Sequence, residues 1–170
     1  MASTLLHFFA LAFFPALMAL SASMDLLTFT IPNRICLSLA LGYLVLAASL
    51  GVPAAEIVLN ISCSMAVLAL AFVMFNLGWV GGGDAKLASA TALWLGWSSI
   101  LAYGVIAAIS GGILTLIILS ARMAPLPAAL GRFVWIARLH DCKSGVPYGI
   151  VLALAGLMQY PGSGVWMAAV

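Results

Sequence analysis

Charged residues are the scarcest class in this sequence: only 6% of its 170 residues are Asp, Glu, Lys or Arg, whereas 66% are apolar. Soluble domains average about 25% charged and about 45–50% apolar residues. The composition therefore indicates an integral membrane protein. The net charge of only +2 excludes the extended basic surface that nucleic acid binding requires, so no nucleic acid partner is expected.

Cysteine is also rare, and its spacing excludes two further kinds of site. Cys36, Cys63 and Cys142 are far apart and form no C-x-x-C motif, so the sequence predicts neither a zinc ribbon nor a disulfide framework. We expect no metal and no cofactor. No Lys or Arg precedes Arg34, so the apolar N-terminal run lacks the positive region of a secretory signal. This run is interpreted as a retained first helix.

Long apolar segments separated by short polar ones predict an all-α membrane domain of about six spans, which covers residues 1–170. The predicted spans are residues 4–24, 36–51, 56–79, 85–97, 99–121 and 148–168. The fourth is short, because the 35 uncharged residues between Lys86 and Arg122 are divided at a break near Gly96, Ser98 and Ser99.

The basic residues predict the orientation of these spans, because short cytoplasmic loops collect Lys and Arg. With six spans, every basic side chain falls on one side of the membrane, which we expect to be cytoplasmic, with both termini external. Residues 122–147 form the one long polar connection on that side. The pattern of apolar and basic residues around Trp135 predicts a short interfacial helix within this cytoplasmic loop.

Four carboxylates are present, and the predicted topology divides them into two pairs. Glu56 falls in an external turn and Asp141 in the cytoplasmic loop, where both are interpreted as solvated side chains. Asp25 ends the first span and Asp84 begins the fourth, so both lie at the cytoplasmic face and can meet. Two carboxyl groups that share a site do not both ionise easily, which is the arrangement that aspartic proteases use to activate water. A charge at a helix end and an N-cap are the alternative interpretations of these two acids.

Three glycines precede Asp84 in the stretch GGGDAKL. Gly81, Gly82 and Gly83 lack side chains, so we expect another backbone to approach Asp84 closely and the helix to be loosened there. Cleavage of a peptide bond near a membrane requires an unwound substrate whose backbone groups the enzyme can bind. The triplet therefore favours a protease.

Three stretches resemble the motifs of the type IV prepilin peptidases, which are membrane aspartic proteases of the GxGD kind. The first, DLLTFTIPN, is an aspartate six residues ahead of Ile-Pro-Asn; the second, GGGDAKL, contains G-x-G-D followed by a lysine; the third, VPYGIVLALAG, opens the last span. Larger family members carry N-terminal C-x-x-C motifs and an N-methyltransferase activity, for which this sequence has neither the cysteines nor the room. The chain resembles the minimal form associated with Flp or tight-adherence pili.

This resemblance implies an aspartic endopeptidase that lies in the bacterial cytoplasmic membrane, in contact with lipid. Its implied reaction is the removal of the leader of Flp-type prepilins at the cytoplasmic face. It implies that Asp25 and Asp84 are the catalytic pair, without indicating which acts as acid and which as base. The residues that it implies to support the site are Gly81, Gly82, Gly83, Lys86, Pro32, Asn33, Pro147, Tyr148 and Gly149. The basic residues that the family often has between Asp25 and Ile31 are missing here.

Two other classes of function fit a small membrane protein with two acids. In a proton-coupled transporter or a subunit of one, Asp25 and Asp84 would relay protons. Against this, both acids are predicted at one membrane face, and no acid or histidine continues a path to the other face. The other class is a non-catalytic assembly subunit of a pilus or secretion machine, which only an activity measurement excludes.

Overall fold

The computed structural model describes residues 2–127 and 129–170, and every regular element in these ranges is helical. Met1 of the predicted domain and Ala128 of the predicted cytoplasmic loop lie outside the described residues. The α-helices, in chain order, are α1 (Ala2–Thr28), α2 (Asn33–Ser49), α3 (Ala54–Asn76), α4 (Gly82–Arg122), α5 (Val134–His140), α6 (Gly149–Gln159) and α7 (Gly164–Ala169). Short 3-10 turns occupy Leu130–Arg132 and Tyr160–Gly162.

Three of these helices are long and apolar enough to cross a membrane. They are Thr4–Thr28 within α1, Ala54–Asn76 (α3) and Gly82–Arg122 (α4). The helix α2 and the stretch Gly149–Gly162 are apolar but shorter. The chain is therefore an all-helical membrane protein, while the number of six spans and their orientation remain predictions.

The helix α4 consists of two arms that meet at Gly96. This residue has φ 63° and ψ −174°, a backbone conformation that is open almost only to glycine. The Asn60 side chain occupies the place where a Cβ of residue 96 would lie, so a larger residue is excluded by contact as well. The break coincides with the predicted division between the fourth and fifth spans. We refer to residues 82–95 as the first arm and to residues 97–122 as the second arm.

Two predicted spans differ from the observed helices. The first span was expected to end at residue 24, but α1 continues to Thr28, so Asp25 lies inside its last turn. The sixth span was expected to be continuous over 148–168, but α6 ends at Gln159 and α7 begins at Gly164. Ser163 starts α7 because its hydroxyl accepts a hydrogen bond from the Trp166 amide at 3.2 Å.

An aromatic cluster around Trp94 holds the bundle together. Trp94 is fully buried, its ring lies 5.0 Å from that of Phe14 and 5.7 Å from that of Tyr43, and its indole N–H donates to the Leu39 carbonyl at 3.0 Å. Tyr160 stacks on Phe14 at 4.6 Å. These contacts tie α1, α2 and the turn after α6 to the first arm of α4, which also carries Asp84.

Candidate active site

Asp25 is buried in the last turn of α1, with only 5% of its surface exposed. Its Oδ2 accepts a hydrogen bond of 2.6 Å from the backbone N–H of Gly149, the first residue of α6. The amide groups in the first turn of a helix have no partner within the helix, so they are ready donors to a carboxylate. The Pro-Tyr-Gly segment thereby fixes one oxygen of Asp25 from 124 residues further along the chain.

The contact between Asp25 and Gly149 also explains why residue 149 lacks a side chain. A Cβ at this position would lie 2.8 Å from Asp25 Oδ2, 2.9 Å from Asp25 Cβ and 2.8 Å from Ile31 Cδ1. Real Cβ atoms do not approach heavy atoms this closely. Glycine is therefore required here by the carboxyl group that its own amide binds.

Asp84 is half-buried in the first turn of α4. The N-cap of this helix is Gly81, so Asp84 itself does not occupy the N-cap position. Its side chain folds back over Gly81, where a Cβ would lie 3.0 Å from Asp84 Oδ2. The expectation that the triplet loosens the helix is wrong for Gly82 and Gly83, because both residues have helical backbones. Their missing side chains serve close packing instead.

Ile31 packs between the two segments that carry the acids. It is 7% exposed, and a Cβ at Gly83 would lie 3.3 Å from its Cβ, while its Cδ1 faces Gly149. The residue before Asp84 and the residue that binds Asp25 thus touch the same side chain. The segments that carry Asp25 and Asp84 therefore meet at Ile31.

Lys86 and Asn33 connect two of the predicted motifs directly. Lys86 Nζ donates to Asn33 Oδ1 at 2.9 Å, which joins the first turn of α4 to the first residue of α2. Pro32 is the N-cap residue of α2 and has extended backbone angles. The observed contact of Lys86 is thus a link between two helices.

The remaining predicted site residues belong to the start of α6. Pro147 is fully buried, and the partly exposed Tyr148 precedes Gly149 as the N-cap residue. The Tyr148 ring lies over Gly111 of the second arm, where a Cβ would be only 2.5 Å from Cε1. Tyr148 therefore anchors the start of α6 against α4, next to the carboxyl group that Gly149 binds.

The other two acids are placed elsewhere. The Glu56 side chain abuts Gly164 at the start of α7. Asp141 lies in the exposed segment after α5, where its Oδ1 accepts a hydrogen bond from the Lys143 amide at 2.9 Å. Within residues 2–127 and 129–170, no group of three or more His, Cys, Asp or Glu side chains is arranged to hold a metal ion.

Two residues at the site were not predicted from the sequence. Ile31 stands inside a predicted motif, but nothing in its type distinguishes it from the many other apolar residues. Arg138 of α5 donates to the Thr28 carbonyl at 3.1 Å, and its guanidinium carbon lies 5.9 Å from the centre of the Phe29 ring. The sequence indicated the side of the membrane on which Arg138 lies, but gave no signal for this contact.

Comparison with known protein families identifies the family of this chain. The model of the type IV leader peptidase family matches residues 12–116, which is more than half of the chain and includes both aspartates. The chain belongs to the type IV leader peptidase family. No curated protein and no solved structure matches it.

Membership in the leader peptidase family confirms the resemblance drawn from the sequence motifs, and it implies a membrane peptidase that acts on prepilins. The matched region ends in the second arm of α4. The contacts of Gly149 with Asp25 and of Arg138 with Thr28 come from beyond it. In this member of the leader peptidase family, the surroundings of Asp25 are therefore completed by the C-terminal third of the chain.

Proposed function

We propose that this chain is an aspartic endopeptidase that removes the leader of Flp-type prepilins at the cytoplasmic face of the bacterial inner membrane, with Asp25 and Asp84 as the catalytic pair. The observation that carries the proposal is that the segments bearing these two acids pack on the same side chain, Ile31, at one end of the bundle. Family membership supports a prepilin as the substrate.

The proposed reaction uses two carboxyl groups and one water molecule. One carboxylate takes a proton from water while the water oxygen attacks the scissile carbonyl carbon, and the partner carboxyl group gives its proton to the carbonyl oxygen. The resulting diol then collapses: the C–N bond breaks, the leaving nitrogen receives the proton taken from water, and the partner carboxylate recovers its own proton. The products are a leader with a new carboxylate and a mature pilin with a free amine.

The hydrogen bond from Gly149 assigns different tasks to the two oxygens of Asp25. Oδ2 already accepts the backbone N–H at 2.6 Å, so Oδ1 is the oxygen that we expect to exchange a proton with water or substrate. A rigid backbone donor also keeps the carboxyl plane fixed. Such positioning matters because an error of about 1 Å in the placement of a reacting group can lower a rate by about 10²-fold.

The experiment that tests this function is co-expression with a Flp-type prepilin, followed by a gel shift and mass spectrometry of the pilin. The unmodified chain is expected to release the leader, whereas Asp25→Asn and Asp84→Asn release none, although both variants insert into the membrane. Glu56→Gln and Asp141→Asn are the matched controls, because their side chains contact Gly164 and the Lys143 amide rather than the site. Retained cleavage by either of the first two variants would remove the catalytic pair from the proposal.

The alternative of a proton-coupled transporter has less support. Asp25 lies in the last turn of α1 and Asp84 in the first turn of α4, and both segments pack on Ile31 instead of placing the acids along the length of the bundle. The Glu56 side chain contacts Gly164 at the start of α7. Loss of proton flux in proteoliposomes on Asp84→Asn, together with no cleavage by the unmodified chain, would favour transport instead.

A further inference from the structure

The end of α1 depends on a cation from a distant part of the chain. The last carbonyl groups of a helix lack partners within it, and basic side chains in the last turn usually stabilise them. The last turn of α1 contains no basic residue. Arg138 of α5 supplies the missing basic side chain. Its Nη1 donates to the Thr28 carbonyl at 3.1 Å, although the two residues are 110 positions apart in the sequence.

The residue that follows α1 has an unusual backbone conformation. Phe29 has φ 56°, which makes it the one non-glycine residue with positive φ in the part of the chain that the structure describes. Residues with a Cβ avoid this region, and those that adopt it are held there by their surroundings. The guanidinium of Arg138 lies 5.9 Å from the centre of the Phe29 ring, so the same side chain that binds Thr28 also contacts Phe29.

The turn at Phe29 is mechanically connected to Asp25. The backbone amide of Phe29 donates a hydrogen bond to the backbone carbonyl of Asp25 at 2.8 Å. Asp25 is therefore the first residue of the hydrogen-bonded turn that ends at Phe29. Two residues later the chain reaches Ile31, which packs against Gly83 and Gly149. A change in the backbone at Phe29 therefore alters the position of Asp25 relative to both Gly149 and Asp84.

We propose that Arg138 is a positioning residue of the peptidase: by binding the Thr28 carbonyl and the Phe29 ring, it holds the turn that places Asp25 for reaction with water and substrate. This inference rests on the proposed function. Arg138 itself does not contact the reacting atoms. It lies outside the matched region 12–116, so the role belongs to α5 of this chain.

The test compares Arg138→Gln with Arg132→Gln. Arg132 is exposed, carries the same charge and lies in the 3-10 turn just before α5, which makes it the matched control. Hydrogen exchange of the peptide covering residues 25–31 is followed by mass spectrometry, and kcat and KM are measured with a Flp-type prepilin. Arg138→Gln is expected to speed exchange in this peptide and to lower kcat, each by on the order of 10-fold, with KM nearly unchanged.

Arg138→Lys is the second variant, and the same measurements are made on it if Arg138→Gln does not insert into the membrane. Lysine keeps the charge and can donate to the Thr28 carbonyl but lacks the planar group that stacks on an aromatic ring, so intermediate exchange and an intermediate kcat are expected. Exchange and kcat equal to those of the unmodified chain in Arg138→Gln would overturn the inference. Faster exchange with an unchanged kcat would overturn it as well.

The two measurements also separate this inference from the proposed function. If the unmodified chain releases no leader, the proposed function fails, while the exchange measurement alone decides whether Arg138 holds the turn. If the unmodified chain cleaves and Asp84→Asn does not, the proposed function stands. In that case the kcat of Arg138→Gln decides the role of Arg138.

Discussion

Gly149 acts on Asp25 in two ways, because its amide binds the carboxyl group and its missing side chain leaves space for it. We predict that Gly149→Ala lowers kcat for prepilin cleavage by on the order of 10²-fold. The added methyl group would push Asp25 Oδ2 and Ile31 Cδ1 away from their present positions. Initial rates with a purified prepilin measure this effect.

Gly145→Ala is the control for Gly149→Ala. A Cβ at Gly145 meets no heavy atom within 4 Å, although this residue lies only four positions earlier in the same segment. Its rate is expected to stay within about 2-fold of that of the unmodified chain. Equal rates for both variants would show that Gly149 does not position Asp25.

The buried hydroxyl of Tyr103 has a predictable effect on the free energy of unfolding. It is 3% exposed, and its hydroxyl is the one buried side-chain polar atom without a hydrogen-bond partner among the described residues. Tyr160 is equally buried, but its hydroxyl donates to the Ala10 carbonyl at 2.8 Å. We predict that Tyr103→Phe leaves the free energy of unfolding unchanged or raises it, whereas Tyr160→Phe lowers it by about 1 kcal/mol.

Denaturant unfolding in detergent compares these two tyrosine variants. The same loss of stability for both would mean that Tyr103 has a partner in the folded protein. A loss for Tyr160→Phe alone would agree with the structure.

The residues of the site differ in how well the sequence could predict them. The sequence singles out Asp25 and Asp84 because a charged side chain in an apolar helix is energetically costly. It singles out the glycine triplet because glycine lowers the stability of a helix. Ile31 could not, since it is chemically ordinary and its importance comes from contacts with Gly83 and Gly149. Arg138 could not either, because its partner is a backbone carbonyl 110 residues away.

At the scale of elements, the break at Gly96 divides α4 into two arms, of which the first carries Asp84. Gly96 combines a conformation that excludes other residues with contact to Asn60, which in turn donates to the Tyr43 hydroxyl at 2.8 Å. We predict that Gly96→Ala lowers the free energy of unfolding by about 2–5 kcal/mol. Thermal or denaturant unfolding in detergent tests this value.

Gly104→Ala in the second arm is the control for Gly96→Ala. A Cβ at Gly104 meets no heavy atom within 4 Å, and alanine favours a helix over glycine by up to about 1 kcal/mol. The control should therefore be neutral or stabilising. A neutral Gly96→Ala would contradict the description of the two arms.

The elements could be predicted to different degrees. Hydropathy predicts the apolar stretches of α1, α3 and α4, because length and apolar composition decide whether a helix can cross a membrane. It missed the division between α6 and α7, which depends on one serine hydroxyl and a turn around Pro161. It also ended α1 too early, since Asp25 interrupts the apolar run without ending the helix.

At the scale of the whole molecule, the orientation in the membrane is a prediction from the basic residues, and a native cysteine provides the test. Cys142 is exposed in the segment after α5, whereas Cys36 and Cys63 are buried. We predict that a membrane-impermeant thiol reagent labels Cys142 in inside-out vesicles and not in right-side-out vesicles.

A second cysteine makes the orientation test reciprocal. Ala55 is exposed in the first turn of α3, near the predicted external turn. In a Cys142→Ser background, Ala55→Cys should be labelled from the opposite side only. Labelling of both positions from the same side would contradict the predicted topology and the cytoplasmic location of the two acids.

Catalysis of prepilin cleavage by Asp25 and Asp84 together can be tested with the purified chain in liposomes. The initial rate of leader release from a Flp-type prepilin is measured for the unmodified chain, Asp25→Asn and Asp84→Asn, with intact folding shown by denaturant unfolding. Catalysis by this pair of acids predicts cleavage at one bond by the unmodified chain and a rate lower by at least about 10³-fold for each variant. A folded Asp25→Asn or Asp84→Asn variant that cleaves at a rate close to that of the unmodified chain would contradict it.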